Sequence, residues 1–224
     1  MMKRFLLLMS GCLLCCMMRA QHQQVFEDFR KEVGDQAEMF AGKMEQGYPS
    51  TIYLNHPYWL FEEFLPGDVL HDGLLYKNVP LRYDAYLKQL VVKTPEKQLD
   101  VYIPMHKVEK FSMGETKFER RNGEMMAILY TSPRMELVEQ MNVGMKQKLV
   151  DNAKVQIEFD RDERYLLLRG GQVHEVGRLK TVLNLFPGLK KELKSFARTH
   201  HLNFKEHRQS SLVSLIAYAD QLLN

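Results

Sequence analysis

Three dipeptides constrain this chain more than any other feature: Asp72-Gly73, Asn122-Gly123 and Gly170-Gly171. A two-residue hairpin loop needs positive φ at its central positions, which Asn, Asp and Gly reach at little cost. Each dipeptide lies between strand-like runs. Val69-Leu70 precede the first and residues 74–79 follow it; 116–120 and 124–130 flank the second; 164–168 and 173–176 flank the third. Two further runs alternate in polarity. Leu99, Val101 and Ile103 point one way, with Asp100 between them. Val155, Ile157 and Phe159 point one way, and Lys154, Gln156, Glu158 and Asp160 the other. Alternation of this kind marks an antiparallel sheet with one wet face. The runs 125–129 and 166–168 are apolar on both sides and are expected to be strands covered on both faces.

The pattern changes near Gly177, where the apolar period becomes helical. A first helix is expected over about 178–185, with Leu179, Val182 and Leu183 inward. Pro187-Gly188 breaks it, and Pro187 suits the start of the next helix. The second helix buries Leu189, Leu193, Phe196 and Ala197. The third is expected to begin at Ser210 or Ser211, either a good N-cap, and to bury Leu212, Leu215, Ile216, Ala219 and Leu222. Leu202-Asn203-Phe204 suits a short extended link between the last two. A weaker helical spacing runs through Val25, Phe26, Phe29 and Val33 and stops at Gly34. The expected fold is therefore α+β: a curved or partly barrel-like antiparallel β-meander over about 36–176, followed by C-terminal α-helices, in one domain over 21–224.

The first twenty residues carry an address. Lys3 and Arg4 form a basic start, 5–18 is an almost unbroken apolar run, and Arg19-Ala20 leads into polar Gln21-His22-Gln23-Gln24. That is the anatomy of a secretory signal peptide cut after Ala20. The apolar run falls short of the roughly 18–20 residues of a spanning helix, so no transmembrane segment is expected in the mature chain. Met9-Ser10-Gly11-Cys12 has the form of a lipoprotein site, with Cys12 acylated, but apolar residues rather than a polar tether follow it. The expected location is periplasmic or secreted, with a lipoprotein as the alternative.

Three of the 31 basic residues, Lys3, Arg4 and Arg19, lie in the leader and none of the 28 acidic ones does, which leaves 28 of each. A balanced chain lacks the basic surface that nucleic acid requires. The three cysteines, Cys12, Cys15 and Cys16, are also in the leader. The mature part has neither a disulfide framework nor a thiol for catalysis, and its stability must come from a hydrophobic core.

Candidate chemistry is thin. His200, His201, Glu206 and His207 cluster, but no His-Glu-x-x-His pair lies one helical turn apart, and a solvated helix end accounts for them. No Gly-x-Ser-x-Gly elbow occurs. Glu62-Glu63 and Asp160-Asp162-Glu163 are paired carboxylates, and the second set lacks the glycine of a calcium loop. Residues 55–64 concentrate aromatic rings, including the single tryptophan. Tyr58, Trp59 and Phe61, with Arg82 and Asp84, are the candidate binding residues. The competing reading has the rings plugging the end of the sheet and Arg82 and Asp84 forming a structural ion pair. No catalytic residue, metal or cofactor is assigned.

Several stretches resemble a family of uncharacterised exported proteins from Bacteroidota bacteria. They are His56-Pro57-Tyr58-Trp59, Gly67-x-Val69, Asp72-Gly73 with Tyr76, and Val79-x-Leu81-x-Tyr83-Asp84. The resemblance continues in Tyr165-Leu166-Leu167 before Gly170-Gly171, in 186–193 and in Leu202-x-Phe204-Lys205. It implies an exported β-rich module with a helical C-terminus, and no reaction. Asn55 stands where such proteins often show Gly, and Asn142-Val143-Gly144 looks like a worn Asp-Gly hairpin. The function expected is a non-enzymatic exported module that binds an envelope protein or ligand; the alternative is a hydrolase with an unrecognised acid or histidine site.

Overall fold

The computed structural model describes Gly34, residues 37–150 and residues 154–223. The expected leader and, Gly34 apart, the helix expected over 22–34 lie outside them. The described chain folds as α+β, with ten antiparallel strands followed by three α-helices. The strands are β1 (Leu65–His71), β2 (Leu74–Asp84), β3 (Gln89–Lys93), β4 (Asp100–Tyr102), β5 (Val108–Met113), β6 (Thr116–Arg121), β7 (Glu124–Thr131), β8 (Met135–Val150), β9 (Lys154–Arg169) and β10 (Gln172–Val176). The helices are α1 (Leu179–Leu185), α2 (Lys190–Thr199) and α3 (Arg208–Gln221).

All ten strands form one open sheet in the order β10-β9-β8-β7-β6-β5-β1-β2-β3-β4. The three dipeptides are its tight turns. Both residues of each have positive φ, from 51° at Asp72 and Asn122 to 85° at Gly123. A fourth two-residue turn, Gly114-Glu115, joins β5 to β6 with positive φ at Gly114 only, the arrangement that puts glycine first. Asn142–Gly144, similar to a worn turn in sequence, lies inside β8 and pairs with 160–162 of β9. Its neighbours alternate without a break, so the ladder passes straight through.

The sheet curls. The link from β4 to β5 must pass β3, β2 and β1, about 19 Å if flat. Five residues that include the 3₁₀ turn Met105–Lys107 fall short of that span, so the strands must wrap. A bulge helps. Val69 pairs with Tyr76 but Gly67 with Val79, and Asn78 takes the extra residue at φ 52°, a conformation that asparagine tolerates. Its N–H donates to Asp68 Oδ1 at 2.9 Å. The inward series on β2 therefore reads Tyr76, Val79, Leu81, Tyr83, all buried.

Two cores share one face of the sheet. Inside the curl, Val69, Leu81, Leu90, Val92, Phe111, Phe118 and Met125 pack together. On the flatter part, Met135, Leu137, Tyr165 and Leu167 lie under Leu193, Leu212, Leu215 and Ile216 of the helices. Leu129 packs against both. Burial of each such large side chain contributes about 1.5–3 kcal/mol. Arg134 Nε donates to Asp220 Oδ1 at 2.7 Å and Tyr130 Oη to its Oδ2 at 2.8 Å, which pins the end of α3 to the β7–β8 corner.

Several expectations need correction. The sheet starts at Leu65; residues 41–64 form no strand but a strap. Leu99 precedes β4 and is exposed, unlike Val101 and Ile103. Helix α3 begins at Arg208, with His207 as an N-cap that makes no side-chain cap bond. Ser211 lies within the helix and is buried. Leu222 lies just past the helix and stays partly exposed, and 202–204 form no strand.

Candidate functional site

The strap is what brings the sequence candidates together. It crosses between the two ends of the curled sheet: Met44 bridges to Val101 on β4, Tyr53 to Ile157 on β9, and Tyr58 to Asp84 on β2. Asn55 acts as a peptide group here. Its amide nitrogen donates to the Phe159 carbonyl at 2.9 Å and its oxygen accepts the Phe159 N–H at 2.7 Å. A glycine at that position has no such group. Gly42 lies so close to β4 that a Cβ would stand 1.5 Å from the Tyr102 carbonyl oxygen.

Tyr58, Arg82 and Asp84 converge under this strap. Residues 82 and 84 share the outer face of β2, since side chains two apart point the same way, but they do not pair with each other. Arg82 bonds Glu45 through Nη2 and donates to the Glu62 carbonyl at 2.8 Å. Its guanidinium lies 4.1 Å from the Tyr58 ring centroid. Tyr58 donates to Glu45 Oε1 at 2.7 Å, and Tyr48 to Asp84 Oδ2 at 2.6 Å. Burial raises the Asp84 carboxyl and the Tyr48 and Tyr58 hydroxyls above their ordinary ranges. These groups are spent on holding the strap, which is the structural reading with Glu45 as the arginine's true partner. Trp59 is 3% exposed and meets Phe118 edge-on at 4.7 Å inside the core. Phe61 is half exposed and joins neither.

The convergence of titratable groups lies elsewhere, in a cleft of about 450 Å³ where the strap's end and the start of α3 overhang β8 and β9. Its floor is the seam between the two cores. The inward series on β8 runs Met135, Leu137, Glu139, Met141, so a carboxylate takes a core position. Glu139 lies opposite Ala127 on β7 and Tyr165 on β9. Glu163, opposite Met141, is its diagonal neighbour on the same face, at a typical Cα spacing of roughly 7–8 Å. Gln209 Nε2 donates to Glu139 Oε2 at 3.0 Å, and Tyr165 Oη to Glu163 Oε2 at 2.9 Å. Glu139 is only 3% exposed. Burial first, and the Glu163 charge second, push its carboxyl up to about 7. Lys205, Glu206, His207 and Arg208 line the rim, with Leu60 of the strap held at φ 59°, a left-handed turn that costs a leucine about 1–2 kcal/mol.

A larger groove of about 530 Å³ lies beside α2 and α3, but its rings, Phe196 and Tyr218, stack on each other at 4.1 Å, and no carboxylate pair enters it. Beyond the strap, β8 and β9 continue as a two-stranded ribbon that exposes Met145, Leu149 and Val155. Among the described residues no group of three or more His, Asp or Glu side chains is placed to hold a metal ion, and no helix is long and apolar enough to cross a membrane. Of its lining, Glu163, Glu206 and His207 stand out in the sequence as candidate chemistry, but Glu139 does not, although it interrupts an otherwise apolar alternate series. No family model, curated protein or solved structure matches the chain.

Proposed function

We propose that the protein is an exported, non-enzymatic module that binds a partner or ligand of the cell envelope, and that the Glu139 cleft is its binding surface. The observation that carries this reading is a preformed polar cavity whose floor is built on two paired strands, with Glu139 and Glu163 below and Lys205, Glu206 and Arg208 at the rim. Pockets of this size seat small ligands. Export is supported by the basic and apolar leader that ends at Ala20, by the lack of cysteine after it, and by the resemblance to exported proteins of Bacteroidota. Intact mass of protein taken from its native envelope is expected to give a chain that starts at Gln21; a diacylglycerol adduct on Cys12 replaces this with a lipoprotein.

A hydrolase is the second reading, and one observation favours it. A carboxyl that holds its proton up to about 7 lies diagonal to Glu163, and an acid beside a carboxylate is a general acid–base pair in outline. One experiment separates the two. Immobilised protein and its Glu139→Gln variant are exposed to an envelope extract, and small molecules eluted from each are weighed by mass spectrometry. A species retained only by the wild type and released unchanged supports binding. Its conversion to fragments on prolonged contact makes the protein a hydrolase.

A further inference from the structure

We propose that the cleft takes a small zwitterion, an amino acid or a short peptide, with its ammonium group on Glu139 and Glu163 and its carboxylate on Lys205 and Arg208. This rests on the reading of the cleft as a ligand site. The argument starts from charges that face each other without touching. Among the described residues, neither Glu139 nor Glu163 has a basic partner, and neither Lys205 nor Arg208 an acidic one. The partners they do have are neutral: Gln209 for Glu139, Tyr165 for Glu163 and the Phe204 carbonyl for Arg208 Nε at 3.4 Å. All four line one cavity together with Glu206 and His207; Glu206 accepts from Asn203 Nδ2 at 2.9 Å, so the floor is negative and the rim carries two cations against one carboxylate.

A ligand with the opposite dipole completes both sets of bonds. A simple anion meets three carboxylates, a simple amine leaves Lys205 and Arg208 unanswered, and an apolar molecule finds little beyond Leu60 and the Tyr165 ring. The volume, about 450 Å³, exceeds one amino acid and suits a short peptide. Glu139 is buried, and an ammonium group placed on it favours its ionised form and relieves the cost of that charge beside Glu163.

The test is calorimetric titration of the mature protein with alanine, alanyl-alanine, ethylamine and propionate. Arg208→Gln and Glu163→Gln serve as variants because neither side chain belongs to the core. The expected result is binding of at least one zwitterion at least tenfold tighter than ethylamine or propionate, with each variant at least tenfold weaker. Ethylamine or propionate binding as tightly as the zwitterions overturns the proposal. If none of the four binds while a ligand from an envelope extract does, and the variants lose it, the zwitterion is wrong and the cleft stands. Binding that neither variant changes removes the cleft itself as the site, and the proposal with it.

Discussion

Glu139 occupies a core position without a cation, and its cost is measurable. An unperturbed glutamate ionises at 4.5, whereas Glu139 holds its proton up to about 7. The unfolded chain therefore gives up this proton first. Between these values the native state binds more protons than the unfolded state, so stability falls as pH rises from 4.5 to 7 and is level above. Glu139→Gln keeps the shape and removes the titration. The variant is expected to match the wild type near pH 4.5 and to exceed it by about 3 kcal/mol near pH 8, read as a pH-dependent gap between two urea unfolding curves. A gap that does not change with pH refutes the assignment. The five residues singled out by type, Tyr58, Trp59, Phe61, Arg82 and Asp84, divide differently: three hold the strap, one fills the core and one is surface. Aromatic and charged residues close in sequence say where rings are concentrated. They do not say which side of a strand faces water.

At the level of elements, the hairpins are local and the strap is not. Asn122 and Gly123 both have positive φ, and no neighbouring atom lies within 4 Å of a Cβ built on Gly123. Gly123→Val thus tests backbone strain alone. It is expected to lower stability by about 1–3 kcal/mol while the β6–β7 register is kept, as seen in melting and in amide-exchange patterns. An unchanged melting temperature rejects the turn geometry. Such turns are readable because their requirement is met by two adjacent residues. The β8–β9 hairpin was legible in alternation at 155–160, but its length was not, because Asn142-Val143-Gly144 has turn composition and only pairing with 160–162 keeps it extended. The strap has no period at all. Its bonds reach 104 residues away, from Asn55 to Phe159, and no local pattern announces them.

The whole molecule depends on the helices. Met135, Leu137, Tyr165 and Leu167 have their cover in α1, α2 and α3, and isolated helices of 7, 10 and 14 residues would be marginal in water. Truncation after Pro187 is expected to expose this half of the sheet and to yield an aggregating or partly unfolded chain, measured by size-exclusion chromatography and thermal melting. A soluble fragment with the same melting temperature means that the helices are an appendage. By itself the sequence determined the strand and helix content and the three dipeptide turns, because each depends on neighbours within a few residues. Only the tertiary structure decided that β1 pairs with β5 as well as β2, that the sheet curls without closing, and that Glu139, Glu163, Lys205 and Arg208 face one cavity. These follow from packing between segments far apart in the chain, where burial, not local periodicity, selects which side chains meet.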